Sequence, residues 1–254
     1  MNGGLYAATI CPMRPDGAID IAALEAHFAA VLSTPGQDGL LLNGHAGEGI
    51  FLSQAEQVQN IRTARTVGPT SRILAAVSAE STAQATSDAQ AALGAGADAI
   101  MVFAPFSWAL GVDPRAVVAH HRAIADTTGA PIYLFQGAVG RLHYAPDILR
   151  TLLEIETVTG IKEGSWEVKA YETTRRVTKG MRPDVAVMAS GDEHLFACFQ
   201  IGSDGSAVSL SAVVPDLIVT LDQAVRSGDS ARALRIHSVL FDFTALVYAP
   251  PLHL

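Results

Sequence analysis

Eight short apolar runs recur along the chain: Leu5 to Thr9, Leu40 to Asn43, Ile73 to Val77, Ile100 to Ala104, Ile132 to Phe135, Val158 to Lys162, Val185 to Ala189 and Ala207 to Leu210. Each is apolar throughout rather than alternating, the pattern of a parallel strand covered on both faces. The stretches between them show helical spacing, as in Ile21, Leu24, Phe28 and Val31, and helices supply the crossovers that parallel strands require. Start signals agree: Asp20 precedes the first helical pattern, Ser53 and Glu56 form a capping box, and Asp113-Pro114 sets a cap before a first-turn proline. Gly36, Gly68, Gly129, Gly180 and Gly228 fall where helical patterns stop, the place a terminating glycine takes. Eight β-then-α units without a linker or composition break predict an α/β fold closed into a (β/α)8 barrel rather than an open doubly wound sheet. Chemistry in such a barrel sits at the carboxyl ends of the strands, so the loops to search follow Asn43, Ala104, Phe135, Lys162, Ala189 and Leu210.

Composition narrows the partners. With 49% hydrophobic and 17% charged residues in 254 and a mean hydropathy of +0.28, the chain fits neither the disordered nor the fibrous class. A net charge of -8 and a pI near 5.4 leave no basic stripe for phosphates, which argues against nucleic acid and anionic membrane and in favour of a small molecule. An anionic substrate must then meet its positive charge inside the site. Cys11 and Cys198 match neither a disulfide framework nor a metal or redox pair, which suits a reducing compartment and near-core thiols. The opening MNGGLYAATI lacks the charged and apolar regions of a signal peptide, and no charge-free stretch reaches the roughly 18 residues of a membrane span. The expectation is a cytoplasmic protein with no membrane partner, no metal and no other cofactor.

Lys162 ends the run Val158-Thr159-Gly160-Ile161 and precedes Glu163-Gly164-Ser165. Inside a barrel its ammonium loses hydration, which favours the neutral amine that attacks a carbonyl. The plainer reading is an ion pair with a neighbour such as Glu163, and these residues alone leave both open. The turn Asn43-Gly44-His45-Ala46-Gly47-Glu48-Gly49 can aim several backbone N–H groups at one carboxylate; a tight strand-to-helix turn accounts for the glycines equally well. His120-His121 read as surface or packing residues without a metal role. Glu193 and His194 stand within reach of the seventh strand's end, a helix-start carboxylate being the simpler reading. Trp108 and Leu110 place apolar side chains in the loop after the fourth strand, as a lid or an oligomer contact.

Taken in order, these segments resemble the dihydrodipicolinate synthase and N-acetylneuraminate lyase family of class I aldolases. Cys11-Pro12 and Asp16-Gly17 stand for its T-P and D-G, and Gly44-His45-Ala46-Gly47-Glu48 for its G-T-T-G-E. Gly96-Ala97-Asp98 and Pro105 match the segments around its fourth strand, Gly160-Ile161-Lys162-Glu163 its G-I-K-E, and Ser190-Gly191-Asp192 its S-G-D. The resemblance covers nearly the whole chain and implies a TIM barrel with Lys162 as the Schiff-base lysine. It implies that Gly44, Ala46 and Gly47 cradle the carboxylate of pyruvate or another 2-oxo acid, with Ala207 beside it. The family's proton relay, a threonine and two tyrosines, is changed: His45 and Ala46 replace the two threonines of the turn, Phe106-Ser107 follows Pro105, and Phe135-Gln136 replaces Y-N at the end of the fifth strand. Phe135 joins the substrate-binding set but cannot carry a proton. Arg141 lies one residue late for the arginine that holds the second substrate's carboxylate, and Tyr133 faces the same side as Phe135, one layer deeper, where it is a candidate to substitute in part for the lost hydroxyl.

The resemblance thus implies a Schiff-base lyase or aldolase that makes or breaks a C–C or C–O bond of a 2-oxo acid through Lys162. His45 is proposed as a replacement acid/base, or else as a group that hydrogen-bonds the turn or a substrate carboxylate. A working dihydrodipicolinate synthase is not expected, because Phe135, His45 and Ser107 poorly reproduce its proton transfers. The alternative is a catalytically impaired barrel that binds 2-oxo acids in a binding or regulatory role. The expected organisation is a barrel over residues 1–228, with 229–254 starting a C-terminal helical segment shorter than the family's, in a homo-oligomer, dimer or tetramer.

Overall fold

The computed structural model describes residues 3–137 and 142–248. Eight parallel strands close into a barrel in chain order: β1 Gly4–Ala8, β2 Gly39–Leu42, β3 Arg72–Val77, β4 Ala99–Val102, β5 Ile132–Gln136, β6 Val158–Glu163, β7 Ala186–Ala189 and β8 Gly205–Val208. Helices α1 Ile21–Leu32, α2 Gln54–Val67, α3 Thr82–Gly94, α4 Pro114–Thr128, α5 Pro146–Leu153, α6 Val168–Met181, α7 Leu195–Ile201 and α8 Pro215–Arg226 follow the strands in turn, and α9 Ser230–Val247 packs on α8. None of the described helices is long and apolar enough to cross a membrane.

The continuous apolar runs are explained by two layers of burial. Leu40, Leu42, Ile73, Ala75, Ile100, Val102, Ile132, Leu134 and Ile161 point outward against the helices. Tyr6, Leu41, Leu74, Met101, Phe103, Tyr133, Phe135, Met188 and Ala207 fill the barrel interior. Each large side chain so buried contributes about 1.5–3 kcal/mol relative to exposure. Strand alternation therefore fixes which residues of β6 reach the interior: Gly160 and Lys162 face in, Ile161 and Glu163 face out. Glycine is required at 160, since a Cβ there would overlap the Tyr133 ring.

The start signals form as read. Asp20 caps α1 by accepting from the Ala23 N–H, Ser53 and Glu56 close a capping box on α2, and Asp113 caps α4 ahead of Pro114. The stop signals hold less evenly. Gly129 is a left-handed cap at φ 60°, and Gly36 and Gly228 also have positive φ. Gly68 ends α2 at φ -123°, a conformation open to other residues, and Gly180 lies inside α6, which runs on to Met181. The eighth strand begins two residues earlier than the apolar run suggests, because Gly205 and Ser206 pair with Gly4 and Leu5 of β1 while Leu210 turns away in a short 3-10 segment. Cys11 and Cys198 are both buried and free.

Candidate active site

Lys162 is 8% exposed and pairs in register with Phe135 of β5 and Met188 of β7. Its Nζ stands 4.9 Å from the centre of the Phe135 ring and 6.0 Å from that of Phe103. Burial disfavours the ammonium and brings its pKa down to about 8, with the negative charge of Asp192 acting in the opposite direction. Glu163, the neighbour best placed in sequence to neutralise it, faces the helix layer and accepts from the Ser165 N–H at 3.2 Å. The ion-pair reading of Lys162 with Glu163 is therefore set aside by strand alternation.

A cavity of about 310 Å³ opens above Lys162 at the carboxyl ends of the strands. One wall is aromatic. Phe103 and Phe135 pack with ring centres 4.2 Å apart, and His45 sits edge-on to them at 4.9 and 5.6 Å and stacks on Phe106 at 5.7 Å. This setting and the nearby Lys162 charge push the His45 pKa down to about 4, so its imidazole is neutral at neutral pH. His45 is exposed and lines the cavity.

The floor of that wall is the turn after β2. Glu48 and Gly49 spend their N–H groups on the carbonyls of His45 and Gly44, at 3.0 and 3.1 Å. The N–H groups of His45, Ala46 and Gly47 meet no acceptor among the described residues. Packing also demands glycine here: a Cβ at Gly47 would stand 2.9 Å from the Thr9 carbonyl oxygen, and one at Gly49 would overlap that of Asn43. The tight-turn reading thus applies at Gly47 and Gly49.

The opposite wall is polar and was less visible in the sequence. Asp192, in the short turn after β7, is buried with its Oδ1 accepting from the Leu210 N–H at 2.8 Å. Its Oδ2 accepts from Tyr248 Oη, also at 2.8 Å, and Ser209 Oγ lies 2.9 Å from the same phenol. Burial raises the Asp192 pKa against the lowering effects of these donors and of Lys162. Tyr248 arrives from the end of α9 and is braced edge-on by Trp166, ring centres 5.3 Å apart. Trp166 itself has φ 61°, an uncommon conformation for a bulky residue and one that turns up at functional sites.

Of the residues read from the sequence, Gly44, His45, Ala46, Phe135, Lys162 and Ala207 line this one cavity. Gly47 lies in the turn beneath it, and Arg141 lies outside the described residues. Two expectations need correction, on Tyr133 and Trp108. Tyr133 does lie one layer deeper, but it hydrogen-bonds Tyr6 beside Arg72 toward the amino end and does not line the cavity, so it is no substitute relay group. From the seventh strand's loop Ser190 and Asp192 line the cavity, and Glu193 and His194 do not, in keeping with the simpler reading of them. Trp108 turns in against His120, ring centres 5.3 Å apart, whereas Leu110 is 88% exposed. His120 and His121 are buried packing residues: His121 joins the Val117 carbonyl at 2.8 Å and Tyr144 Oη at 2.9 Å. Phe103, Trp166, Ser209 and Tyr248 were not singled out beforehand, and no short-range signal marks them.

These features define a (β/α)8 barrel with a buried lysine near the carboxyl end of β6. The chain belongs to the dihydrodipicolinate synthetase family, whose model matches residues 1–253. It is 30% identical over 246 residues to a probable 2-dehydro-3-deoxy-D-pentonate aldolase of Escherichia coli, covering 96% of this chain and 81% of that one. Identity to a 4-hydroxy-tetrahydrodipicolinate synthase of Synechococcus is 29% over 251 residues, 97% of this chain and 81% of the relative. The fold superposes on a prophage protein of the dihydrodipicolinic acid synthase family from E. coli, solved with pyruvate, with a TM-score of 0.90 at 24% identity, over 98% of this chain and 84% of that one. An N-acetylneuraminate lyase from Fusobacterium nucleatum gives a TM-score of 0.89 at 19% identity, over 98% and 84% of the two chains.

Proposed function

We propose that the protein is a Schiff-base lyase acting on pyruvate or a related 2-oxo acid, with Lys162 as the nucleophile. The observation that carries this reading is a buried Lys162 whose amine falls to a pKa of about 8, beneath an anion-ready turn. At pH 7 such an amine is neutral in about a tenth of molecules, far more than an exposed lysine offers. Attack on the 2-oxo carbon and loss of water give an iminium, which draws electrons from a bond one carbon away. The N–H groups of His45, Ala46 and Gly47 orient the substrate carboxylate, and Phe135 and Ala207 pack against the imine.

His45 fits the binding role better than the acid/base role in this reading. A base with a pKa near 4 is mismatched to proton transfer at neutral pH, whereas a neutral imidazole hydrogen-bonds a substrate oxygen without competing for the Lys162 proton. Phe135 offers no hydroxyl where a synthase would use one, which supports a cleavage or addition reaction other than dihydrodipicolinate synthesis.

Incubation with a panel of 2-oxo acids and borohydride, followed by peptide mass spectrometry, tests the proposal. The expected result is a reduced adduct on Lys162 with at least one member of the panel. Folded protein that acquires no adduct with any of them refutes the reading.

A further inference from the structure

The aromatic wall contains no hydroxyl. His45, Phe103, Phe106 and Phe135 together form it, and none of these groups exchanges a proton readily at neutral pH. Imine chemistry nonetheless requires one: a proton must leave the aldol hydroxyl and another must reach the carbon next to the imine. The polar wall has a chain of groups suited to that task. Tyr248 Oη donates to Asp192 Oδ2 at 2.8 Å and lies 2.9 Å from Ser209 Oγ, with Ser209 Oγ 3.4 Å from the same carboxylate oxygen. All three residues line the Lys162 cavity.

We propose that Tyr248 and Asp192 are the proton relay of the Lys162 imine, with Ser209 holding the phenol in line. The proposal rests on the Schiff-base reading above. In cleavage of a 4-hydroxy-2-oxo acid held as the Lys162 iminium, Tyr248 Oη takes the C4 hydroxyl proton while its own proton passes to Asp192 Oδ2. The O–H electron pair becomes the second C–O bond of the aldehyde, the C3–C4 pair becomes the C2–C3 double bond of the enamine, and the C2–N π pair moves onto nitrogen and neutralises the iminium. The proton then returns from Asp192 through Tyr248 to C3, restoring the iminium, and water releases the 2-oxo acid and leaves Lys162 as its ammonium. One proton moves from O4 to C3, and none is gained or lost.

Two further features support the assignment. Burial raises the Asp192 carboxyl from its ordinary value, so it holds a proton more readily than an exposed aspartate does. Burial and the Asp192 charge raise the Tyr248 phenol, so Tyr248 passes a proton on rather than standing ionised. The edge-on contact with Trp166 at 5.3 Å involves the ring and survives loss of the hydroxyl, which makes Tyr248→Phe a mild substitution for the fold.

The test needs only pyruvate and D2O. Exchange of the pyruvate methyl protons, followed by proton NMR, reports proton transfer at C3, and borohydride trapping at equilibrium reports the imine separately. Tyr248→Phe should give the same Lys162 adduct as wild type and exchange methyl protons at least about 100-fold more slowly. Asp192→Asn should show the same split. A Tyr248→Phe protein that forms the adduct and exchanges at the wild-type rate overturns the relay and leaves the Schiff base standing. Wild type that forms the adduct without exchange also overturns the relay. Wild type without an adduct overturns the Schiff-base reading and the relay with it.

Discussion

At the amino end of the barrel Lys179 Nζ lies 2.7 Å from Asp204 and donates to the Val185 carbonyl at 2.8 Å. There Arg226 meets Asp222 at 2.7 Å, Arg72 reaches Tyr6 Oη at 3.4 Å, and Asp38 accepts from the Leu5 N–H at 2.8 Å. At the carboxyl end Lys162 is more deeply buried and has two phenylalanine rings as its near neighbours. The cavity at the amino end is the larger, about 570 Å³ against about 310 Å³, so size does not mark the site. The state of the charges does. Cations at the amino end are held by partners and stitch strands to helices, while the cation at the carboxyl end is left short of partners and its proton is loosened.

The two lysines give the sharpest way to break this comparison. Lys162→Met should reduce turnover at least about 10⁴-fold, as expected for loss of a covalent nucleophile, yet raise stability at neutral pH. Folding lowers the Lys162 pKa from 10.5 to about 8. The unfolded chain therefore binds more protons between those values, and wild-type stability rises with pH from about 8 to about 10.5. The penalty removed by methionine below that window is at most about 3 kcal/mol, and urea denaturation at pH 7 and pH 11 reads it directly. A Lys162→Met protein less stable than wild type at pH 7 contradicts the account.

Lys179→Met should do the reverse. It loses an ion pair that is partly exposed and two carbonyl hydrogen bonds, a cost of about 1–2 kcal/mol after discounting for solvent, with adduct formation unaltered. Equal loss of adduct in the two methionine variants would erase the distinction between the ends.

The hydrophobic pattern made the barrel readable because each strand is covered on both faces, and Lys162 stood out because it ends such a run. Distance in the chain hid much of the site. Tyr248 is 56 residues from Asp192, and the packing of α9 on α8, α7 and the turn that holds Asp192 brings it over the mouth. Phe103 reads as one more apolar residue until β4 alternation turns it inward beside Phe135. Tyr133 misled for a physical reason: alternation gives its side correctly but not its depth, and its hydroxyl is already engaged by Tyr6. Gly180 shows the limit of punctuation, since a helix on the surface of the barrel continues through a glycine when a proline just beyond, here Pro183, keeps the residue before it, Arg182, out of helical backbone and supplies the stop.

A smaller effect is expected at His45. With its pKa near 4, His45→Gln should leave kcat within about threefold and raise KM several-fold, with the pH profile near neutrality unchanged. A loss of kcat of about 100-fold or more, accompanied by disappearance of an inflection between pH 6 and 7, would return His45 to an acid/base role.

The state of the Lys162 amine is measured most directly by the pH dependence of imine formation. The first-order rate of adduct formation at fixed pyruvate, quenched with borohydride at intervals from pH 6 to 11, should rise tenfold per unit at low pH and level off with a midpoint near 8, the value that burial imposes on Lys162. A midpoint near 10.5, the value of an ordinary lysine, would show that the barrel does not loosen this proton and would contradict the account.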